Sequence, residues 1–165
     1  MIVEYAAIRE NVVHPERANP SDAGLDVFFN PEDGETAVLY PGENAVLGTG
    51  LKFGIPHGYM LQAMNRSSVA AKRCLVVGAH CIDSGYDGEV FIDLHNIGVK
   101  SQELQPGDKI AQLVMVPVVA FRPMEADEEE LYEESITISD RGDGALGSTD
   151  DPTLPHPLDG MPSGF

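Results

Sequence analysis

The 165-residue chain is poor in cysteine, in basic residues and in long apolar runs. Its two cysteines are too few for a disulfide framework, and neither a Cys-x-x-Cys pair nor Cys/His zinc spacing is present. No stretch reaches the roughly 18–20 apolar residues that a membrane helix needs. The N-terminus also lacks the basic and apolar regions of a signal peptide. We therefore expect a soluble single domain without a membrane partner, in the cytoplasm or, for a viral source, in the host cytoplasm.

The charge is strongly one-sided, with 27 acidic residues against 10 basic residues and a formal net charge of −17. A protein that binds duplex nucleic acid needs a basic face, so this composition excludes duplex nucleic acid as a partner. A free nucleotide stays open as a ligand, because a few well-placed cations suffice for one triphosphate. From Phe121 onward the chain holds 12 acidic and 2 basic residues, so this segment carries −10 of the total charge.

Short apolar or β-branched runs recur through the first 120 residues, separated by Gly, Pro, Asp and Asn. Such runs at spacings of roughly 8–12 residues are typical of a β-sandwich or barrel. We predict an all-β, jelly-roll or β-barrel-like core over residues 1–124, with one short helix at Ser68–Arg73. The predicted strands are Ile2–Ile8, Leu25–Phe29, Thr36–Tyr40, Ala45–Leu47, Leu51–Ile55, Tyr59–Met64, Cys74–Val77, Val90–Leu94 and Ile110–Phe121.

The last part of the chain differs in composition from this core. Half of residues 125–138 are acidic, and the segment is predicted to form an acidic connector with a short strand. Residues 139–165 are rich in Gly, Pro, Asp and Ser and cannot bury a core, so we predict a flexible arm. Within the arm, Arg141 to Thr149 alternate glycines with an arginine, one apolar residue and two hydroxyls. That pattern suits wrapping around a phosphate, whereas plain disorder is the alternative.

Three further segments carry candidate chemistry. Arg66, Ser67 and Ser68 follow an apolar strand and offer a guanidinium and two hydroxyls to phosphates; the alternative is a helix-capping serine beside a surface arginine. Residues 78–90 are predicted to form a strand, a turn and a strand, with Asp83 near the mouth as a candidate general base and Tyr86 as a ring that packs against a sugar. The alternatives are a turn aspartate and a sheet tyrosine.

Two more polar residues fall at strand positions. Gln112 alternates with apolar neighbours and points away from them, and Asp26 is the second residue of a predicted strand. Both also fit ordinary outward or edge positions. His80 and Cys81 are expected to be half-buried strand residues.

Taken in order, these segments resemble the five motifs of the trimeric deoxyuridine triphosphatase (dUTPase) family. No single motif decides this, but all five occur with family-like gaps from Ala23 to Thr149. The motifs are Ala23–Val27, Arg66–Ala70, Ile82–Glu89, Gly107–Leu113 and Arg141–Thr149.

The resemblance implies a jelly-roll homotrimer with active sites shared between subunits, acting on dUTP with Mg²⁺ bound through the triphosphate. Asp83 then corresponds to the residue that activates the attacking water, and Tyr86 to the ring that excludes a 2′-hydroxyl. Asp26 corresponds to an outer-sphere support for the metal, reached through water. The residues that resemble substrate contacts are Arg66, Ser67, Ser68, Gln112, Arg141, Leu146, Gly147, Ser148 and Thr149.

Some positions depart from the family pattern. Leu146 stands where the family usually has a phenylalanine that stacks on uracil. His80 and Gly85 are closer to the related dCTP deaminases, and Asp93 stands where those enzymes have a catalytic glutamate. Base specificity therefore stays open at His80, Gly85 and Asp93. A dCTP deaminase, a bifunctional enzyme for dCTP, dUTP or a modified pyrimidine nucleotide, and a nucleotide-binding or interaction module without activity are the alternatives to dUTP hydrolysis.

Overall fold

Eleven strands and one helix follow one another in the part of the chain that the structure, a computed structural model, describes: residues 1–128, 130 and 131. All twelve elements belong to a compact unit at Met1–Phe121, and Arg122–Phe165 form a second unit. The elements are β1 Glu4–Ala7, β2 Leu25–Phe28, β3 Ala37–Leu39, β4 Asn44–Gly48, β5 Leu51–Gly54, β6 Tyr59–Met64, α1 Ser67–Arg73, β7 Leu75–Val77, β8 Cys81–Asp83, β9 Phe91–Asn96, β10 Gln102–Leu104 and β11 Lys109–Pro117.

The strands pair antiparallel in four sheets. One sheet has four strands in the order β2-β11-β6-β8, a second has three strands in the order β4-β9-β7, and two further sheets pair β1 with β5 and β10 with β3. The all-β prediction is therefore confirmed. Over the described residues the strands stay in four separate sheets and do not close into one continuous barrel.

The core is built from the inward side chains of these strands. Alternation places every second residue of β9 inside, so Ile92 and Leu94 are fully buried while Phe91 is exposed. The largest fully buried apolar side chains are Leu39, Leu51, Leu75, Ile92, Leu94, Leu104, Ile110 and Leu113. Removal of these apolar side chains from water is the main favourable contribution to the folding of this unit.

The helix α1 begins one residue earlier than predicted. Arg66 is its N-cap, with extended backbone, and no side chain caps the first turn. The helix ends at Arg73, and Cys74 caps it with a left-handed conformation at φ 54° and an N–H that donates to Ala70 O. The helix-capping role considered for a serine is therefore wrong, because both serines lie inside the first turn.

Other boundaries differ for local reasons. The predicted strand Ile110–Phe121 ends at Pro117, which pairs with Tyr59, the first residue of β6. β9 runs on to Asn96, whose side chain is buried but fully paired, donating to Leu39 O at 2.9 Å and Lys100 O at 2.8 Å. β10 was not predicted, because only one of its three residues is apolar. In the described residues no helix is long and apolar enough to cross a membrane.

Candidate functional site

A polar cleft of about 340 Å³ lies where the start of α1 meets β2 and β11. Three of the five sequence motifs contribute side chains to it. Its lining residues are Ala18, Asp22, Ala23, Gly24, Asp26, Arg66, Ser67, Ser68 and Gln112. The cleft thus brings together five of the residues singled out from the sequence.

Strand register explains this convergence. β11 lies between β2 and β6, so Gln112 pairs with Asp26 on one side and with Met64 on the other. Met64 is the last residue of β6, and two residues later Arg66 caps α1. One position on β11 therefore aligns residues that are more than 80 positions apart in the sequence.

The Gln112 side chain is held in a defined orientation. Its Nε2 donates to Asn65 O at 2.8 Å, and Asn65 Oδ1 in turn accepts from Val77 N at 2.7 Å. A Cβ on Gly24 would stand 1.9 Å from Gln112 Oε1, so any side chain at position 24 would displace the amide. The glycine of the first motif therefore leaves room for the glutamine of the fourth.

A cluster of four charges lies beside this amide. The Asp26 side chain is nearly buried, and it accepts from Arg66 Nε at 2.8 Å through Oδ1 and from Lys109 Nζ at 3.0 Å through Oδ2. Lys109 also pairs with Glu16. Glu16 first, and then Asp26, raise the pKa of Lys109 above its usual value. Asp26 therefore orients two cations, one of which, Arg66, lines the cleft.

Several donors in the cleft are left for an anion. Only Nε of Arg66 is used by Asp26, and within residues 1–128 neither of its terminal nitrogens makes a hydrogen bond. The hydroxyls of Ser67 and Ser68 likewise bond to no described residue, and both serines are exposed. A guanidinium edge next to two hydroxyls is a suitable arrangement for phosphate oxygens.

Asp83 lies elsewhere, at the end of β8. It is exposed, and its Oδ1 accepts a hydrogen bond from the Cys81 thiol at 3.4 Å. That bond is the main reason why the pKa of Cys81 is raised; desolvation and repulsion by the same carboxylate add to it. Tyr86 N donates to Asp83 O across a turn in which Gly85 adopts φ 85°. This positive φ is a physical reason for glycine at position 85.

One chain alone does not bring Asp83 to the cleft. Asp83 pairs with Met60 at one end of β6, whereas Gln112 pairs with Met64 at the other. Four residues of strand span about 13 Å, and two sheet spacings across β11-β6-β8 add about 10 Å sideways, so the two residues are about 16 Å apart. Asp83 and Tyr86 form one group, and the cleft residues form another.

The residues considered for base specificity lie outside the cleft and do not form one group. His80 Nδ1 lies 2.7 Å from Ala63 O, just before β8. His80 and Cys81 are exposed and not half-buried as expected, because β8 is the edge strand of its sheet. Gly85 is in the Asp83 turn.

Asp93 belongs to a different sheet and is already engaged. Its Oδ1 accepts from Asn44 Nδ2 at 2.9 Å, and its Oδ2 lies 2.9 Å from His95 Nε2. The Asn44 hydrogen bond, followed by the His95 contact, lowers the pKa of Asp93, although partial burial opposes this. Asp93 is therefore held as a carboxylate by protein groups alone.

The described residues do not form a magnesium site from protein ligands alone. They contain no group of three His, Cys, Asp or Glu side chains that could hold a metal ion. Both oxygens of Asp26 already accept from cations, yet each keeps a second lone pair that can accept from a water molecule. The residues thus fit an ion that keeps several waters and whose direct ligands come from the substrate.

Sequence reasoning missed Lys109 and Asn65. Lys109 lies within the fourth motif, but nothing local shows that it pairs with Asp26 across the β2–β11 ladder. Asn65 acts through its backbone carbonyl and its side chain, neither of which leaves a pattern in one sequence. The arm residues Arg141, Leu146, Gly147, Ser148 and Thr149 lie outside the described residues.

Known proteins resemble this chain over most of its length. A family model described as dUTPase matches residues 10–150. The deoxyuridine 5′-triphosphate nucleotidohydrolase of Clostridium acetobutylicum is 37% identical over 144 residues, covering 86% of this chain and 92% of that protein. The protein of the same name from Anaplasma marginale is 35% identical over 137 residues, covering 82% of this chain and 87% of the relative.

Solved structures agree with this relationship. A variant of the dUTPase from Staphylococcus bacteriophage 80alpha with dUpNHpp has a TM-score of 0.75 and 30% identity, and the match covers 90% of this chain and 98% of that one. A variant dUTPase from phage phi11 of S. aureus, a structure concerned with the coordination of a structural Mg(II) ion, has a TM-score of 0.70 and 30% identity, covering 79% and 99%. The resemblance found in the sequence motifs is confirmed, and the chain belongs to the dUTPase family.

Proposed function

We propose that this protein is a dUTP diphosphatase, which hydrolyses dUTP to dUMP and pyrophosphate by attack of water on the α-phosphorus. The observation that carries the proposal is membership in the dUTPase family combined with a polar cleft that gathers three of the five family motifs. Because the substrate belongs to the deoxynucleotide pool, we place the enzyme in the cytoplasm of its cell or, for a viral source, of the host.

The cleft is proposed to hold the triphosphate. Arg66 offers its terminal nitrogens to phosphate oxygens while Asp26 fixes its Nε, so the guanidinium is oriented before the substrate arrives. Ser67 and Ser68 add hydroxyl donors, and the second N–H of the Gln112 amide completes the set. Binding here neutralises phosphate charge, which is the main requirement for transfer at phosphorus.

We further propose a homotrimer whose active sites are shared between subunits. The separation of about 16 Å between Asp83 and Gln112 within one chain supports this, because water activation and phosphate binding must meet at one phosphorus atom. A neighbouring copy that brings its Asp83 turn to the cleft solves the problem with symmetric contacts. The exposed edge of β8 is consistent with such a neighbour.

Asp83 then serves as the general base. Its exposed carboxylate accepts the proton of a water molecule as the oxygen of that water attacks the α-phosphorus, and pyrophosphate leaves. The ring of Tyr86, three residues along the turn, is proposed to lie against the deoxyribose and to leave no room for a 2′-hydroxyl. A magnesium ion on the triphosphate would neutralise its charge, and Asp26 would accept hydrogen bonds from its waters.

The arm is proposed to complete the enclosure of the substrate. Arg141, Ser148 and Thr149 supply the guanidinium and hydroxyl groups that suit a γ-phosphate. Gly147 allows the backbone to approach closely, and Leu146 provides apolar cover for the base.

Deamination of dCTP is disfavoured by the surroundings of Asp93. A general acid/base must exchange a proton near neutral pH, but Asn44 and His95 occupy both carboxylate oxygens and lower the pKa of Asp93. His80 and Gly85 stay candidates for base preference, since both belong to the segment that carries Asp83.

A panel of deoxynucleoside triphosphates and UTP, assayed with separate detection of pyrophosphate and ammonia, tests the proposal. We expect pyrophosphate and dUMP from dUTP and no ammonia from dCTP. Ammonia release would establish deamination, and tight binding of every nucleotide without products would identify a binding module.

The Asp83→Asn variant tests whether Asp83 is the general base. It should lose nearly all dUTP turnover and keep its affinity for a non-hydrolysable dUTP analogue, because the phosphate contacts of the cleft are unchanged. Cys81→Ala is the matched control: it removes the thiol bonded to the carboxylate and leaves the base in place. Substantial turnover by Asp83→Asn would remove Asp83 from the role of general base.

A further inference from the structure

A part-buried ion pair joins the N-terminal segment to the turn that carries Tyr86. Arg9 Nη2 donates to Glu89 Oε1, and the two side chains are only 21% and 11% exposed. The same Glu89 oxygen accepts from Gly50 N at 2.8 Å. A buried charge that loses its partner is strongly destabilising, so Glu89 has one well-defined position.

The residues around the pair leave space for it and for little else. A Cβ on Gly48 would stand 2.7 Å from Glu89 Oε1 and 3.1 Å from Arg9 Nη2. Gly50 adopts φ 67°, a conformation that favours glycine, and this directs its N–H to the carboxylate. Gly48 at the end of β4 and Gly50 just after it thus accommodate the pair closely.

The main chain after Glu89 is fixed as well. Val90 N donates to Leu51 O at 2.8 Å, and Thr49 Oγ1 donates to Val90 O at 2.6 Å. The main chain that follows the turn is therefore held by hydrogen bonds to β5 and to Thr49 before it. The main chain that precedes the turn is held by the pairing of β8 with β6.

The position of the Tyr86 ring depends on the main chain at Glu89. Its hydroxyl donates to Glu89 O at 2.8 Å, and a Cβ on Gly88 would stand 2.3 Å from the same hydroxyl. Apart from this bond the tyrosine is 47% exposed, so few packing contacts hold the ring. The orientation of the ring is therefore set by the position of the Glu89 carbonyl, to which the Tyr86 hydroxyl is bonded.

We propose that Arg9 and Glu89 are positioning residues that set the discrimination between deoxyribose and ribose. By fixing the Glu89 carbonyl they fix the Tyr86 hydroxyl, and with it the plane of the ring against the sugar. The proposal rests on the function assigned to Tyr86 above. Neither residue touches the substrate, so both act on specificity through Tyr86.

Steady-state kinetics on dUTP and UTP with the full-length protein test this inference. Arg9→Met leaves Glu89 buried without its cation, and Tyr86→Phe removes only the bond to the Glu89 carbonyl. We expect the ratio of kcat/KM for dUTP over UTP to fall roughly tenfold in both variants, since a misplacement of about 1 Å has effects of this size or larger. Arg9→Lys should recover part of the ratio, because it keeps the charge.

Lys52→Met is the matched control. Lys52 of β5 pairs with Asp87 of the same turn at 3.0 Å, but these side chains are 39% and 94% exposed. An exposed pair contributes little, so the nucleotide ratio should not change. Circular dichroism and thermal melting confirm that each variant is folded before its kinetics are measured.

The outcomes distinguish a failure of the positioning role from a failure of the proposed function. Suppose that the wild-type protein hydrolyses dUTP and that the Arg9→Met and Tyr86→Phe variants are folded. If both variants then keep the wild-type ratio of kcat/KM for dUTP over UTP, the positioning role is wrong. If Arg9→Met does not fold, the ratios for Tyr86→Phe and Arg9→Lys decide the question in the same way. A wild-type protein that does not hydrolyse dUTP overturns the proposed function instead.

Discussion

Replacing Gly24 by alanine tests how the cleft holds Gln112. The added Cβ would stand 1.9 Å from Gln112 Oε1 and 2.7 Å from Gln112 Cδ, so one of the two groups must move. Gln112 is the more mobile of the two, because Gly24 lies on the main chain leading into β2. We therefore expect its amide to swing away from Asn65 O and out of the cleft.

The size of the effect follows from the lost contacts. A hydrogen bond to a charged group contributes about 1.5–3 kcal/mol. At about 1.4 kcal/mol per tenfold change, kcat/KM for dUTP should fall about 10- to 140-fold. The free energy of unfolding should fall by only about 1 kcal/mol, because the bond to Asn65 O is a neutral one.

Steady-state kinetics and urea denaturation of three variants provide the assay. Gly54→Ala is the matched control, because a Cβ there meets only Glu4 O at an ordinary 3.6 Å. Gln112→Ala should lower kcat/KM about as much as Gly24→Ala. The double variant Gly24→Ala/Gln112→Ala should be no worse than Gln112→Ala alone, since the two changes remove one interaction.

If the losses in kcat/KM of the two single variants multiply in the double variant, the reasoning is refuted. Gly24 would then act on the substrate independently of Gln112. Wild-type kcat/KM in Gly24→Ala would refute the reasoning equally.

Three other predictions concern assembly, stability and pH. Co-expression of Asp83→Asn with Gln112→Ala should restore about a quarter of wild-type activity, because a random trimer with sites shared between neighbours keeps both residues intact in that share of sites; no recovery would contradict shared sites. Asp26→Asn should lower the free energy of unfolding by about 2–3 kcal/mol in urea denaturation, since its two cationic partners lose a nearly buried charge, and a loss below about 1 kcal/mol would contradict the cluster. Asp93 has a pKa below its usual value of 3.8, so its stabilising contribution is lost as the pH falls through the folded-state pKa; the difference in the free energy of unfolding between wild type and Asp93→Asn should shrink as the pH falls below 4, and an increase over that range would contradict this.

The sequence predicted the strands well wherever apolar residues alternate or cluster. β6 lies at Tyr59–Met64 as expected, because its inward residues are apolar and its bounds are marked by turn residues. β10 escaped prediction, since a three-residue strand with one apolar side chain is defined by its partner and not by its own pattern. Asn96 prolongs β9 for a similar reason: a buried amide satisfied by distant carbonyls looks like a strand end.

The candidate site was predictable as a set of residues but not as a geometry. Ordered motifs identified Arg66 and Gln112, and these residues do meet in one cleft. The distance from Asp83 to that cleft depends on the register of β6 against two neighbours, and no local pattern encodes such a register. The pairing of Asp26 with Lys109 is likewise a contact across a ladder that no spacing in the sequence reports.

The charge cluster at the cleft has a consequence for how the nucleotide arrives. Two cations, Arg66 and Lys109, and two anions, Asp26 and Glu16, sum to zero, whereas the chain as a whole carries −17. We therefore expect an approaching polyphosphate to be repelled at long range and attracted once it reaches the hydrogen-bond donors of the cleft. Moderate ionic strength, which shortens the Debye length to about 8 Å at 0.15 M, screens that repulsion and speeds the encounter, the reverse of the salt effect expected for a basic phosphate-binding protein.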